Sequence, residues 1–158
     1  MIVQHISPEQ LGQVIRYEDQ RMRKIIAMAI ARSARRYMVY LKHRLDELGI
    51  TDQGILKASI HVVVMGLRTL VVADAPHAGV IEEGCRPHPV SREGREAIAS
   101  WCMRKLGMDY DSAQRASWGI AMKIAKDGQK GHWVFRDSFE KAVEFYAEEL
   151  ATLGAQIK

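Results

Sequence analysis

The stretch HAGVIEEGCRPHP, His77 to Pro89, holds two histidines, one cysteine, two glutamates and one arginine. Those residue types suit three kinds of chemistry. His77, Cys85 and His88, joined by Cys102, offer nitrogen and sulfur ligands for zinc. A structural zinc site usually shows close ligand pairs separated by a spacer. Here there is one Cys-x-x-His pair, and its partners stand at irregular distances. Cys85 beside His77 or His88 and Glu82 would supply a thiol nucleophile, a base and an orienting carboxylate. However, Cys85 lies between Gly84 and Arg86-Pro87, with no helix start to fix its geometry. Glu82 and Glu83 are adjacent, so in an extended segment they point to opposite faces, which is poor for paired-carboxylate work. The chain also has no Walker loop, no G-x-G-x-x-G and no H-E-x-x-H. The expectation is therefore no catalytic residue, no cofactor and no metal. The third chemistry is recognition. Proline fixes φ at Pro87 and Pro89, so Gly84 to Ser91 reads as a stiff arm, mobile in the free chain and ordered on assembly. Arg86 and His88 are its polar contacts.

The elements that must position this stretch are read from local rules. SPEQ, Ser7 to Gln10, is a helix start, with Ser7 as cap and Pro8 in the first turn. Helical pattern continues to about Leu48, with a break near Tyr17, and Gly49 stops it. Ala27, Ile30, Ala34, Met38, Leu41, Leu45 and Leu48 form an apolar stripe at three- and four-residue steps. Residues 59–65 and 67–74 are rich in β-branched side chains, with Gly66 between them, and read as an antiparallel hairpin. Ser91 caps a helix ended by Gly107, whose inward face is Ile98, Trp101, Cys102 and Leu106. A further helix runs from about Asp111 to Lys126, closed by Gly128. GQKGHWVF is a glycine-bearing loop. A last helix spans Phe135 to about Leu153, with Phe139, Val143, Tyr146 and Leu150 on its apolar side. Strands clustered between helices, without βαβ alternation, indicate an α+β fold. The 158 residues read as a single domain: a helical arm over 1–50, a hairpin and docking loop over 54–90, and a helical part over 91–153.

Charge adds a second surface. The net charge is +4. Residues 1–50 carry nine Arg/Lys and five Asp/Glu, whereas residues 135–158 carry three and five. Arg21, Lys24, Arg32, Arg35, Arg36 and Lys42 fall on one side of the first helix, with Ile25, Met28 and Val39 among them. A solvated face is one reading. A contact face is the other, because apolar side chains gain nothing from bulk water. As a subunit contact, this face would meet the acidic last helix of a neighbour (Asp137, Glu140, Glu144, Glu148, Glu149). The same cations, with Tyr37 and Tyr40 nearby, also suit nucleic acid; Tyr37 lies near the stripe and fits core equally well. No run of about 18 apolar residues suggests a membrane span. Two cysteines do not make a disulfide framework, and a reducing compartment fits them. The start MIVQHISPEQ lacks the pattern of a signal peptide, so use in a cytoplasm is expected.

The order of these motifs resembles the neck, or tail-completion, proteins of long-tailed bacteriophages. That family opens its first strand with Gly-x-Leu-x-x-Ser-Ile, matched here by Gly54, Leu56, Ser59 and Ile60 at slightly shifted spacing. Its Val-Glu-Phe-Gly-Thr-x-Pro-His loop is matched by Glu83, Gly84, Arg86, Pro87 and His88, after Ala78. Its last-helix opener is approximated by Gly131, Trp133 and Phe135. His77 stands where an aromatic is usual, Cys85 where Thr is usual, and Val134 where Pro is usual. The resemblance spans about residues 10–150, and the loop is its most specific part. It implies a structural virion protein with no enzymatic reaction, assembled in the host cytoplasm. Its partners would be copies of itself in a hexameric or dodecameric ring, a head-side connector or stopper, and a tail-tube or tail-terminator protein. DNA would pass through the lumen, and no membrane is involved. The alternative is a nucleic-acid-binding accessory protein that uses the basic helix, and a third reading is a small metal-dependent or thiol enzyme at His77–Pro89.

Overall fold

The computed structural model describes residues 8–156. The chain is α+β, as its motif order indicates. Helix α1 runs without interruption over Pro8–Glu47, so the break expected near Tyr17 is absent. Ser7, read as its cap, lies outside the described residues. Gly49 takes φ 66°, in the left-handed region where a side chain would be strained, and closes α1. A one-turn helix α2 (Ile55–Ser59) follows, then strands β1 (Ile60–Met65) and β2 (Arg68–Ala73). They form a two-stranded antiparallel hairpin that turns at Gly66, φ 61°. Next come α3 (Ala78–Glu83), β3 (Gly84–Cys85), α4 (Arg92–Leu106), α5 (Tyr110–Asp127), β4 (Gln129–Lys130), α6 (Val134–Asp137) and α7 (Phe139–Gln156).

Two local readings are corrected. Gly54–Ser59 does not open a strand directly: Gly54 is left-handed and Ile55–Ser59 is helical. The Ser59 hydroxyl donates to the Leu56 carbonyl at 2.8 Å and accepts the Ala75 N–H at 3.1 Å. The first bond is local and favours the turn, and the second ties the turn to the end of the hairpin, 16 residues on. The last helix is also split. A single turn, α6, ends at Ser138 before α7 begins, because the chain enters α6 from Trp133 in the left-handed region (φ 50°) and is held there by bonds described below.

The chain divides into two compact units that interleave in sequence. One contains α1 up to Tyr40, residues 61–72 and α7; the other contains residues 41–60 and 73–138. In the second unit, α4 and α5 form an antiparallel-type helical hairpin around small side chains. Ala99, Cys102 and Ala113 are buried, with Ile98, Met103, Met108, Ala116 and Ile120 packed against them. Small residues let two backbones approach closely, so dispersion contacts accumulate along the seam. The hairpin's ends follow local rules. Ser91 Oγ accepts the Gly94 N–H at 3.1 Å, Asp109 accepts the Ser112 N–H at 2.9 Å, and Gly107 is left-handed between the helices. Cys102 faces inward as expected, whereas Trp101 and Leu106 are exposed.

The buried face of α1 also differs from the expected stripe. Ala29, Ser33, Tyr37, Leu41 and Leu45, spaced four apart, are buried, whereas Ile30, Ala34 and Met38 are half-buried and Leu48 is exposed. Tyr37 is therefore core. The expected stripe omitted Ser33, which satisfies its hydroxyl on the Ile30 carbonyl at 2.8 Å and so tolerates burial.

Candidate functional site

The His77–Pro89 stretch is not a loop throughout. Residues 78–83 form α3, so Glu82 and Glu83 leave a helix and not an extended segment. Gly84 ends it at φ 81°, and β3 then pairs antiparallel with β4, Gly84 opposite Lys130 and Cys85 opposite Gln129. The two segments meet backbone to backbone. A Cβ on Gly84 would lie 2.1 Å from the Gln129 carbonyl oxygen, on Gly128 2.3 Å from that of Cys85, and on Gly131 2.3 Å from that of Glu82. Only glycine allows this approach at each position. The seam is closed by His132 N–H donating to the Ile81 carbonyl (2.8 Å) and Trp133 N–H to the Glu82 carbonyl (3.0 Å).

Glu82 completes the cinch. Its carboxylate accepts the Phe135 N–H at 3.0 Å and the Arg136 N–H at 2.9 Å. These are orphan donors in the first turn of α6, and an anion there is favourable. The Arg136 guanidinium stacks 3.8 Å over the Trp133 ring, covering the left-handed residue. In the sequence Glu82 stands out only as an orienting carboxylate for Cys85 or as half of an adjacent pair. Its capping role needs a partner 53 residues away, and no local signal gives that.

Arg86, Pro87, His88 and Pro89 are all exposed. They leave a base fixed by β3 and β4 and re-enter at Ser91, the cap of α4. The segment expected to be mobile from Gly84 thus has its first two residues paired. A ring nitrogen of His88, Nδ1, lies 2.9 Å from the Arg86 carbonyl, a bond that bends the arm locally. Glu83 is exposed at the arm's root. The zinc set is not brought together. Cys85 is in β3, while Cys102 is fully buried between α4 and α5. Among the described residues no three His, Cys, Asp or Glu side chains converge on a metal position. His77 instead lines a cleft of about 260 Å³ with Trp101, Lys57 and Asp52. Both charges there are engaged: Lys57 pairs with Asp46, and Asp52 accepts from Arg104 at 2.6 Å.

The other unit carries the basic residues of α1 up to Arg36. Arg21, Lys24, Arg32, Arg35 and Arg36 are exposed, whereas Lys42, which belongs to the unit of α4 and α5, is half-buried. Met28 (52% exposed) and Val39 (60%) stand among them, and Ile25 is half-buried. Arg36 is committed within its own chain, which corrects the expectation that it awaits a neighbour. It donates to Glu148 at 2.5 Å and to Glu149 at 3.4 Å, and lies 4.5 Å over the Phe145 ring. The Glu148 hydrogen bond, followed by its charge and that of Glu149, holds the guanidinium above its ordinary range despite some desolvation. Phe145 also meets Tyr40 edge-on, with centroids 6.2 Å apart. By contrast, among the described residues Lys24, Arg32, Arg35 and Lys42 have no carboxylate partner.

Because α7 turns Phe145 and Glu149 toward α1, its other face is left outward. Phe139 (64% exposed), Val143 (52%), Tyr146 and Leu150 form an exposed row. These four are the side chains expected on the apolar side of the last helix, and its own chain leaves them exposed. The spacing i, i+4, i+7, i+11 identifies an apolar face but not whether the same chain covers it. Val64, Met65, Leu67 and Leu70 of the hairpin are exposed as well.

No protein-family model, curated protein or solved structure matches the chain. Among the described residues no helix is long and apolar enough to cross a membrane.

Proposed function

We infer that the chain is a structural subunit of a bacteriophage neck, assembling into a ring that joins the head connector to the tail and lets DNA pass. The observation that carries this reading is the uncovered row Phe139, Val143, Tyr146 and Leu150. A contiguous exposed apolar surface of this kind marks a protein contact. It sits in the unit that also holds the mixed basic and apolar face of α1. The other unit supplies the arm at Arg86–Pro89, the stretch most similar to the neck-protein loop. An arm rooted in a backbone cinch meets a partner with little left to order, which lowers the entropic cost of docking. The work assigned to the chain is joining, not chemistry.

Deleting the coding sequence from the phage that carries it should leave filled heads and separate tails. Adding purified protein to that lysate should restore joined, infectious particles. Normal virions without the chain would overturn the reading. The second reading, a nucleic-acid-binding accessory protein, is favoured only by Lys24, Arg32, Arg35 and Lys42 of α1, which have no carboxylate partner among the described residues. It requires duplex binding whose affinity falls steeply with salt.

A further inference from the structure

Helices α1 and α7 hold two apolar features of opposite net charge. The first is a groove of about 440 Å³, floored by Met22, Ile25, Met28 and Leu153 and rimmed by Arg32, Arg21 and Glu18, the last two paired at 3.7 Å. The second is the outward row of α7, whose most exposed members are Phe139 and Val143. Glu140 and Glu144 are exposed beside that row, Glu144 paired with Lys141 at 2.5 Å. The groove is apolar, and Arg32 leaves its rim net positive; the row is apolar, and Glu140 leaves its flank net negative. We propose that the groove of one copy receives the α7 row of a second copy, head to tail.

Several observations favour this occupant over others. DNA would satisfy Arg21 and Arg32 but would leave Met22 and Met28 against phosphate, where their burial gains nothing. Pairing of two α7 rows with each other would place Glu140 and Glu144 of one copy near those of the next, and like charges across a contact are unfavourable. Groove-to-row contact joins opposite charges and covers both apolar surfaces at once. It also uses two different surfaces on each copy. Such heterologous contacts continue from copy to copy and close into a ring when the rotation permits. This inference rests on the neck-ring reading only in expecting that copies associate; which surfaces meet is a separate matter.

Two double variants of the full chain test it by sedimentation equilibrium. Met22→Gln with Met28→Gln spoils the groove; Phe139→Gln with Val143→Gln spoils the row. All four side chains are exposed, so the circular dichroism and melting of each variant should match the unaltered chain. Each variant alone should self-associate on the order of a hundredfold more weakly, the loss expected when two such side chains no longer leave water. An equimolar mixture should form one-to-one pairs and nothing larger, since it contains one intact groove and one intact row. Should a glutamine variant misfold, Arg32→Glu and Glu140→Lys replace it: each alone should weaken association about tenfold, and both together in one chain should recover most of that. If both double variants assemble like the unaltered chain, the inference fails and the ring reading stands on another surface. If only the row variant is defective, or the mixture stays monomeric, the head-to-tail contact is wrong. An unaltered chain that never self-associates overturns this inference, while the lysate experiment still decides the neck role.

Discussion

Glu82 caps the N–H of Phe135, 53 residues later, at 3.0 Å. That bond ties the helix before the arm to the helix before α7, and the glycine contacts beside it leave little slack. Losing the carboxylate should expose two first-turn donors. Glu82→Ala should lower unfolding free energy by about 1–2 kcal/mol, and Glu82→Gln by less, since an amide oxygen still accepts. Urea unfolding of both variants checks the order.

The cinch itself predicts a sharper effect. Gly84 needs a left-handed φ of 81°, and its Cβ would meet the Gln129 carbonyl oxygen at 2.1 Å. Gly84→Ala should cost at least about 2 kcal/mol, because strain and a backbone clash add. Gly119 has open space where a Cβ would sit and an ordinary helical φ. Gly119→Ala should therefore be neutral or mildly stabilising. Thermal melts that ranked the two alike would contradict the close backbone approach.

Cys85 and Cys102 should separate in the same way. Cys85→Ser sits in a partly exposed strand and should leave folding and assembly intact, with no metal lost. Cys102→Ser puts a hydroxyl into the apolar seam of α4 and α5, where its own helix is the nearest acceptor, and should destabilise by about 1 kcal/mol or more. Stoichiometric zinc in the native protein, lost in Cys85→Ser, would contradict this assignment.

Acid sensitivity follows from three carboxylates. Asp109 is held below its ordinary range by the Ser112 backbone N–H, Asp46 by Lys57 and Thr51, and Asp52 by Arg104. A depressed folded-state pKa gives stability that is present above the unfolded pKa and lost as pH falls through the folded one. Stability should thus be level near neutrality and decline below about pH 4. Asp109→Asn keeps a capping oxygen at every pH, so its decline should be shallower. Equal acid slopes in the two proteins would show that this cap does not contribute.

Most of what could be read in the sequence rests on neighbours in the chain. Gly66 between β-branched runs marked the hairpin, and Ser91, Gly107 and Gly128 marked helix ends, because caps and turns are settled within four residues. What escaped depends on distant partners. The pairing of Gly84 with Lys130 and the capping by Glu82 join segments about fifty residues apart, and two-residue strands leave no periodic trace. The phase of burial also escaped. On α7 the pattern marked Phe139, Val143, Tyr146 and Leu150 as apolar, but Phe145, with Glu144 before it and Glu148 one turn on, was the side chain its own chain used. The Arg36–Glu148 pair shows why: charge opposition between first and last helix was legible, whereas whether it acts within or between copies was not.

Copies of this chain are proposed to build a ring. Negative-stain electron microscopy of the purified protein, alone and with tail extract, tests it most directly. The expected result is closed rings of one copy number, with a lumen wide enough for duplex DNA, on the protein alone or at the ends of tails. Monomers under both conditions, with bare tail ends, would contradict it.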